Sequence, residues 1–307
     1  MKKIKLAILL IFAFVITGCL KTDTMEDITI YTTSYPIEYV TSRLYGEHSE
    51  VKSIYPDGMQ EGYKVSDKLI EDYSKGDLFI FNGLMEYYEL DSEGKEVLKN
   101  DLPVLVSEKK YVFDMLELNH DLKIIDVSAS IMYDYDVNEL WLDPIKFLTV
   151  ANNVKKGFYE YVTNKYLLNE IDENYQALKQ ELLKLDADYR EVANRSSYNT
   201  IVVADDCLKF LQKYDINVIS LEENESLTQK NIKDAEELIA NGDVKYIYVI
   251  DENKTNETIT NLTENTEVTL IKLSNLNNLS EENRKNNDDY FTIMYSNLDK
   301  IKEELYK

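Results

Sequence analysis

Short runs of β-branched and aromatic residues alternate with helical patterns in two separate blocks of this 307-residue chain. The strands predicted in the first block are Ile28–Thr33, Val51–Tyr55, Leu78–Asn82, Pro103–Val106 and Leu122–Val127, with helices at Ile37–Tyr45 and Val65–Tyr73. The strands predicted in the second block are Thr200–Ala204, Val218–Leu221, Val244–Ile250 and Val268–Leu273, with helices at Asp206–Lys213, Thr228–Ala240, Thr255–Asn261 and Asp288–Leu305. Near-continuous apolar strands that alternate with helices are typical of parallel sheets covered on both faces. The pattern therefore predicts an α/β protein with two parallel-sheet lobes.

The region between the two blocks carries helical patterns and no strand pattern. One stretch runs from Pro144 to Lys165, and Asp143 before the proline is a natural N-cap. A second stretch, Ile171–Val192, places apolar or aromatic residues at every third or fourth position, which marks one face of a long helix. A coiled coil is the rival interpretation, but three heptads without flanking repeats favour it weakly. We expect a long rigid helix, residues 169–194, that joins an N-terminal lobe, 27–168, to a C-terminal lobe, 195–307.

Two lobes of this kind predict where a ligand binds. Open α/β sheets bind ligands at the carboxyl ends of their strands. If the two sheets face each other, the ligand lies in a cleft between the lobes. Candidate binding residues are therefore those that directly follow strands.

The N-terminus has the pattern of an export signal. Lys2, Lys3 and Lys5 precede an apolar run over residues 6–16, which is shorter than the roughly 20 residues of a membrane-spanning helix. The run ends in the tetrapeptide Ile16–Cys19, which resembles the bacterial lipobox. We expect a signal peptide at 1–18, lipid attachment at Cys19 and a tether at 19–26. Several acyl chains on one residue anchor stably, so we expect an extracytoplasmic protein held at the cell membrane.

The net charge argues against one class of partner, and the cysteine content argues against a disulfide. The formal net charge is −23, and residues 1–18 contain three lysines and no acid, so the mature chain is more acidic still. Phosphate repels such a chain, which makes nucleic acid an unsuitable partner. Cys207 is the only cysteine besides Cys19, so no disulfide within the mature chain is expected and a buried core must stabilise it.

Five segments, in order along the chain, resemble one protein family. They are Ile28–Pro36, Asp77–Leu84, Trp141–Pro144, Leu185–Arg190 and Val244–Val249. They are similar to motifs of the zinc and manganese solute-binding lipoproteins of ABC importers. The resemblance implies two lobes bridged by one long helix, and a divalent metal as the transported ligand in the cleft, with no organic cofactor. It also implies an ABC permease and ATPase as partners, and we expect a monomer.

The metal ligands are where the chain departs from this family. Family members hold the metal with three histidines and one carboxylate, whereas this chain has only His48 and His120, neither at a ligand position. The resemblance places Glu61, Glu139 and Asp205 at the histidine positions. It places the fourth ligand at Asp251 or its neighbour Glu252, with Asp251 preferred.

A site made of four carboxylates has predictable chemistry. Like charges so close together repel strongly, so the site must hold a cation, take up protons or keep its acids apart. Oxygen ligands suit Mn²⁺, Ca²⁺ or Mg²⁺, whereas zinc prefers nitrogen and sulfur. The family therefore implies manganese or zinc, and these ligands favour manganese or a harder ion.

Two other functions remain open from the sequence. The chain could be a metal-free paralogue that serves as a surface adhesin or scaffold. It could also be a receptor for a small organic or cationic ligand, since 24 tyrosines offer aromatic faces that bind cations. Catalysis is not expected, because the chain has no nucleophile elbow, phosphate-binding glycine loop or His-Glu-x-x-His motif.

Overall fold

The two predicted parallel sheets are present in the computed structural model, which describes residues 25–59, 63–83, 88–90, 96–98, 108–224 and 226–307. The described residues form two four-stranded parallel sheets and a two-stranded antiparallel ladder. A 31-residue helix lies between the two sheets in sequence. The predicted fold class is therefore confirmed.

The first lobe is built on a sheet with the strand order β2-β1-β3-β6. Its elements are β1 (Ile28–Thr32), α1 (Tyr35–Tyr45), β2 (Ser49–Ser53), α2 (Asp67–Tyr73), β3 (Leu78–Phe81), β4 (Tyr88–Leu90), β5 (Glu96–Leu98), α3 (Glu108–Leu118) and β6 (Lys123–Asp126). All four residues of β3 are buried, as expected of a central strand covered on both faces. The strand predicted at Pro103–Val106 lies outside the described residues.

Three helices follow the first sheet: α4 (Glu139–Leu142), α5 (Pro144–Tyr161) and α6 (Lys165–Arg195). The Asp143 side chain caps α5 by accepting a hydrogen bond from the Ile145 amide at 2.8 Å. The helix predicted as Pro144–Lys165 ends earlier, because Asn164 begins a new helix by accepting a bond from the Tyr166 amide at 2.9 Å. The helix predicted at Ile171–Val192 lies within α6, and its apolar stripe is buried.

The second lobe is built on a sheet with the strand order β10-β9-β7-β8. Its elements are β7 (Thr200–Val203), a 3₁₀ helix (Asp206–Tyr214), β8 (Asn217–Ser220), α7 (Gln229–Ala240), β9 (Tyr246–Val249), α8 (Glu257–Asn265), β10 (Thr269–Lys272), α9 (Glu281–Asn286) and α10 (Tyr290–Leu305). The four strands predicted in this block are confirmed. The helix predicted at Asp206–Lys213 is a 3₁₀ helix and not an α-helix.

One apolar core runs through both lobes. Residues 274–280, which we call the bridging segment, leave the second sheet after β10 and pack on the first lobe. Within this segment the Asn277 carbonyl accepts a bond from the Tyr35 amide at 3.2 Å, and the Leu279 carbonyl accepts one from Gly58 at 2.7 Å. Leu276 is buried in the same core as the N-terminal strands. The two lobes are thus held in contact away from the linking helix as well as along it.

The N-terminal predictions fall largely outside the described part of the chain. Residues 1–24, with the predicted signal peptide and Cys19, are not described. Across the described ranges, no helix combines the length and apolar character needed to cross a membrane. The boundaries 27–168, 169–194 and 195–307 stay predictions.

Candidate functional site

The carboxyl edge of the second sheet is where Asp205 lies. Strand order reverses between β7 and β9, which makes this the switch point at which such sheets bind ligands. Asp205 follows β7, and its Oδ2 accepts a hydrogen bond from the amide of Ile250, which follows β9, at 2.9 Å. The sequence rule that looks just after strands therefore places Asp205 at the expected edge.

Three carboxylates come from both lobes toward this edge: Asp136, in the loop before α4, and Asp205 and Glu222 of the second lobe. We call them the cleft carboxylates. Burial, with a smaller contribution from the charge of Glu222, raises the pKa of Asp136 to about 6. Burial, together with the charges of Glu222, Asp251 and Asp206, raises the pKa of Asp205 to about 6 as well. Charges from the two lobes therefore act on one another across the interface.

Lysines pair with several of the acids near the cleft carboxylates. Lys209 bonds to Asp206 at 2.7 Å, and Lys213 bonds to Asp143 and to Asp186 of the linking helix. By contrast, none of the cleft carboxylates forms an ion pair with any described residue. The uncompensated negative charge is therefore concentrated at one place between the lobes.

Glu139, predicted as the second metal ligand, forms hydrogen bonds and an ion pair within the protein. Its side chain is 1% exposed. Oε1 accepts bonds from the amides of Tyr135 at 2.6 Å and Asp136 at 3.0 Å. Oε2 accepts bonds from the Asp134 amide at 3.1 Å and from Lys146 Nζ at 2.7 Å. In this arrangement Glu139 folds the loop that presents Asp136, and its role as a ligand stays a prediction.

The remaining predicted ligands are not brought together in the described structure. Asp251 is close enough to influence Asp205, but its Oδ1 accepts bonds from the amide and side chain of Asn253 at 3.0 and 3.2 Å. These bonds lower the pKa of Asp251. Glu252, the alternative, is exposed, and Glu61 lies outside the described residues. Among the residues that are described, no three histidine, cysteine, aspartate or glutamate side chains have the arrangement of a metal site.

The sequence analysis did not predict Glu222 and Asp136 as site residues. Only one of them, Glu222, could have been found from its position after a strand. Glu222 comes two residues after β8 ends at Ser220, so the strand-end rule could have found it. Asp136 follows no strand and reaches the cleft only through the loop folded by Glu139.

Cys207, which lies near the cleft carboxylates, is buried. Burial raises the pKa of its thiol well above the usual value, so it is a poor nucleophile.

The cleft carboxylates predict a pH dependence of stability. A carboxyl whose pKa is higher in the folded than in the unfolded state holds its proton more tightly when folded, so stability falls as pH rises through that window. For Asp205 the window runs from about pH 4 to pH 6. Asp205→Asn should remove up to about 3 kcal/mol of this fall. Urea unfolding of the metal-free protein at a series of pH values measures it.

The matched control for this prediction is Glu252→Gln, which changes an exposed acid on the same edge. It should leave the slope of unfolding free energy against pH unchanged. Equal slopes for wild type and Asp205→Asn would show that Asp205 is not strained by burial and its neighbours.

Comparison with known proteins gives consistent matches over most of the chain. The profile of the family described as ZnuA, "Zinc-uptake complex component A periplasmic", matches residues 30–304. The zinc-binding protein AdcA of Streptococcus pyogenes serotype M6 is 23% identical over 319 residues, which cover 98% of this chain and 61% of AdcA. This chain thus spans less than two thirds of that relative. The manganese ABC transporter substrate-binding lipoprotein scaA of Streptococcus gordonii is 22% identical over 324 residues, which cover 100% of both chains.

A solved structure shows the same fold. The Zn(II)-bound ZnuA-like domain of Streptococcus pneumoniae AdcA superposes with a TM-score of 0.68 and 17% sequence identity. The superposition covers 92% of this chain and 100% of that domain. At this identity the likeness establishes the two-lobe architecture with its long connecting helix.

Proposed function

We propose, from the premise that this chain belongs to the ZnuA family of periplasmic zinc-uptake components, that it captures a divalent metal ion for an ABC importer. The family consists of solute-binding proteins and not of enzymes, and its members bind zinc or manganese as the transported ligand. No organic cofactor is implied. The proposal extends this family role to a chain that lacks the ligand histidines.

The observation that carries the proposal is the uncompensated charge of the cleft carboxylates. Asp136, Asp205 and Glu222 are partly buried, come from both lobes and have no lysine or arginine partner among the described residues. A bound cation would stabilise their ionised forms and offset their mutual repulsion. Two neighbouring acids are paired with lysines, Asp206 with Lys209 and Glu139 with Lys146, so the unpaired charge is a local property of the cleft.

The ligand chemistry supports manganese, or a harder ion, over zinc. Carboxylate oxygens suit Mn²⁺, Ca²⁺ and Mg²⁺, and zinc prefers nitrogen and sulfur ligands. We assign Asp205 and Asp136 as the central ligands, with Glu222 beside them. Glu61 and Asp251 remain proposed ligands from the sequence, and Glu139 positions the loop that carries Asp136.

The proposed place of action is the outer face of the cell membrane. The lipobox-like sequence at Cys19 supports a lipid anchor, and the relative scaA is named a lipoprotein. We propose an ABC permease and its ATPase as partners and a monomeric receptor. Labelling with radioactive palmitate, abolished by Cys19→Ala, would test the anchor.

The cargo is tested by thermal unfolding of the chelator-treated mature chain with Mn²⁺, Zn²⁺, Ca²⁺ and Mg²⁺. A ligand at 100 times its Kd adds about 2.7 kcal/mol of stability, which raises the melting temperature by a few degrees. Asp136→Asn with Asp205→Asn should weaken the affinity for the preferred ion at least about 100-fold, the loss of two charged ligands. The control pair Glu117→Gln with Glu160→Gln changes the same net charge on exposed positions away from the cleft and should bind as wild type does.

One observation favours a second function, that of a metal-free paralogue acting as a surface adhesin or scaffold. Glu139 is already paired with Lys146, so a cation of the protein stands beside a position that the family uses for a metal ligand. The same titration separates the two functions. Unchanged melting with every ion would remove metal capture and leave the scaffold function.

A further inference from the structure

A buried carboxyl also lies at the switch point of the first sheet. Strand order reverses there between β1 and β3, and the Glu108 side chain occupies the carboxyl edge between them. Its Oε2 accepts a bond from the amide of Asn82, directly after β3, at 2.7 Å. Asp205 binds the Ile250 amide after β9 in the same way. Each sheet thus has one carboxylate fixed at the place where α/β sheets bind ligands.

Several polar atoms around Glu108 have no hydrogen-bond partner among the described residues. They are Glu108 Oε1, Thr33 Oγ1 and Tyr55 OH. Their side chains are 1%, 0% and 3% exposed, so the solvent does not satisfy them. Buried polar atoms are nearly always hydrogen-bonded or bound to water or an ion. Three such atoms near one another therefore indicate that something binds between them.

Hydrogen bonds place these three side chains at one edge. The Thr33 amide donates to the Ile80 carbonyl of β3 at 3.2 Å. The Ser53 hydroxyl links the other two residues, because it donates to the Thr33 carbonyl and accepts a bond from the Tyr55 amide at 3.0 Å. The Thr33 hydroxyl is near enough to lower the pKa of Glu108, although it does not have the geometry of a formed hydrogen bond. The charge of Glu108 in turn adds to the rise in the pKa of Tyr55 that burial causes. Thr33 follows β1, Tyr55 follows β2, and Glu108 bonds to the residue that follows β3. The three side chains therefore converge on one edge of the sheet.

No cation of the described protein neutralises Glu108. It forms no ion pair with any described residue, and the nearby Asp126 is an acid that raises its pKa further. Asp126 is engaged through Oδ1, which accepts bonds from the Gly83 amide at 3.0 Å and from the amide and hydroxyl of Ser128 at 2.9 and 2.6 Å. It adds negative potential, but neither of its oxygens is among the buried atoms that lack a partner.

We propose that this switch point binds one monovalent cation, sodium or potassium, through Glu108, Thr33 and Tyr55. The three unpartnered atoms are all oxygens, and only one of them belongs to a carboxylate. One negative charge with neutral hydroxyl oxygens balances a single positive charge, whereas calcium sites recruit several carboxylates. This site is separate from the cleft carboxylates and does not depend on the proposed function.

The bound ion would also stabilise the contact between the lobes. Thr33 and Ser34 form the turn between β1 and α1, and the amide of the next residue, Tyr35, donates to the bridging segment at Asn277. An ion on Thr33 therefore fixes the turn that receives the second lobe. This predicts an ion-specific stabilisation of the whole molecule rather than of one loop.

The test compares melting temperatures of the chelator-treated mature chain near pH 8 in sodium, potassium and choline chloride at equal ionic strength. The proposal predicts a melting temperature several degrees higher in one of the alkali salts than in choline. Glu108→Gln and Tyr55→Phe should each remove this difference. Asp205→Asn, which alters the cleft and not this site, should retain it.

Equal melting in all three salts would overturn the proposal and leave a neutral Glu108 carboxyl bonded to water. If Glu108→Gln does not fold, the salt comparison on wild type and on Tyr55→Phe still decides, because Tyr55→Phe removes one oxygen and keeps the ring. A difference that persists unchanged in Tyr55→Phe would also overturn the assignment of these ligands.

Discussion

Glu139→Ala is expected to destabilise the protein by about 3–5 kcal/mol, the usual result of removing one partner of a buried ion pair. The substitution leaves Lys146 and the amides of Asp134, Tyr135 and Asp136 without their acceptor. A Glu139→Gln variant keeps the side-chain oxygen and should lose less. Urea unfolding followed by circular dichroism measures both variants.

The control for this prediction is Glu160→Ala, an exposed glutamate on α5. It should change stability by less than about 0.5 kcal/mol. A loss below about 1 kcal/mol for Glu139→Ala, together with lost metal affinity, would contradict the structural role and make Glu139 a direct ligand.

Trp141→Ala is expected to cost about 3–5 kcal/mol, since it removes a large aromatic side chain from the core. Trp141 is 1% exposed. Its Nε1 donates to the Asn275 carbonyl in the bridging segment at 2.8 Å, and its own carbonyl accepts a bond from Tyr290 of the second lobe at 2.7 Å. The bridging segment should therefore exchange its amide hydrogens faster in this variant.

Hydrogen exchange followed by mass spectrometry measures the second effect, and thermal or urea unfolding measures the first. Met132→Ala, at an 82% exposed position in the same region, is the control and should match wild type. Unchanged exchange over residues 274–280 in Trp141→Ala would show that the bridging segment does not depend on this side chain.

The strands could be predicted because their burial leaves a continuous apolar pattern. β3 and β7 are buried on every residue, and both were found within one residue of their ends. Helix α3 was not predicted, because one of its four buried positions is the charged residue Glu108, while the apolar Phe113 is 64% exposed. The break between α5 and α6 was missed because it depends on one cap, at Asn164, within a helical composition.

The candidate site was harder to predict, because a carboxylate's role depends on which donors it meets. The family resemblance places both Glu139 and Asp205 at positions of metal-binding histidines. In the structure Glu139 meets three amides and Lys146, whereas Asp205 accepts a bond from one amide and lies near three other acids. Lys146 lies seven residues beyond Glu139, on another helix, so only the folded loop reveals the pair. Asp136 could likewise be identified as a cleft residue only from the folded loop.

The continuous core has a consequence for how such a protein can change over generations. A lobe transferred alone into another protein would expose Leu276, Leu279 and Trp141, which are buried against both halves. Contiguous exposed apolar surface of that kind promotes aggregation. The halves are therefore inherited together, and new specificity must arise by substitution along the facing edges. The carboxylate at Asp205, which the resemblance places at a histidine position, would be a change of this kind at the facing edge.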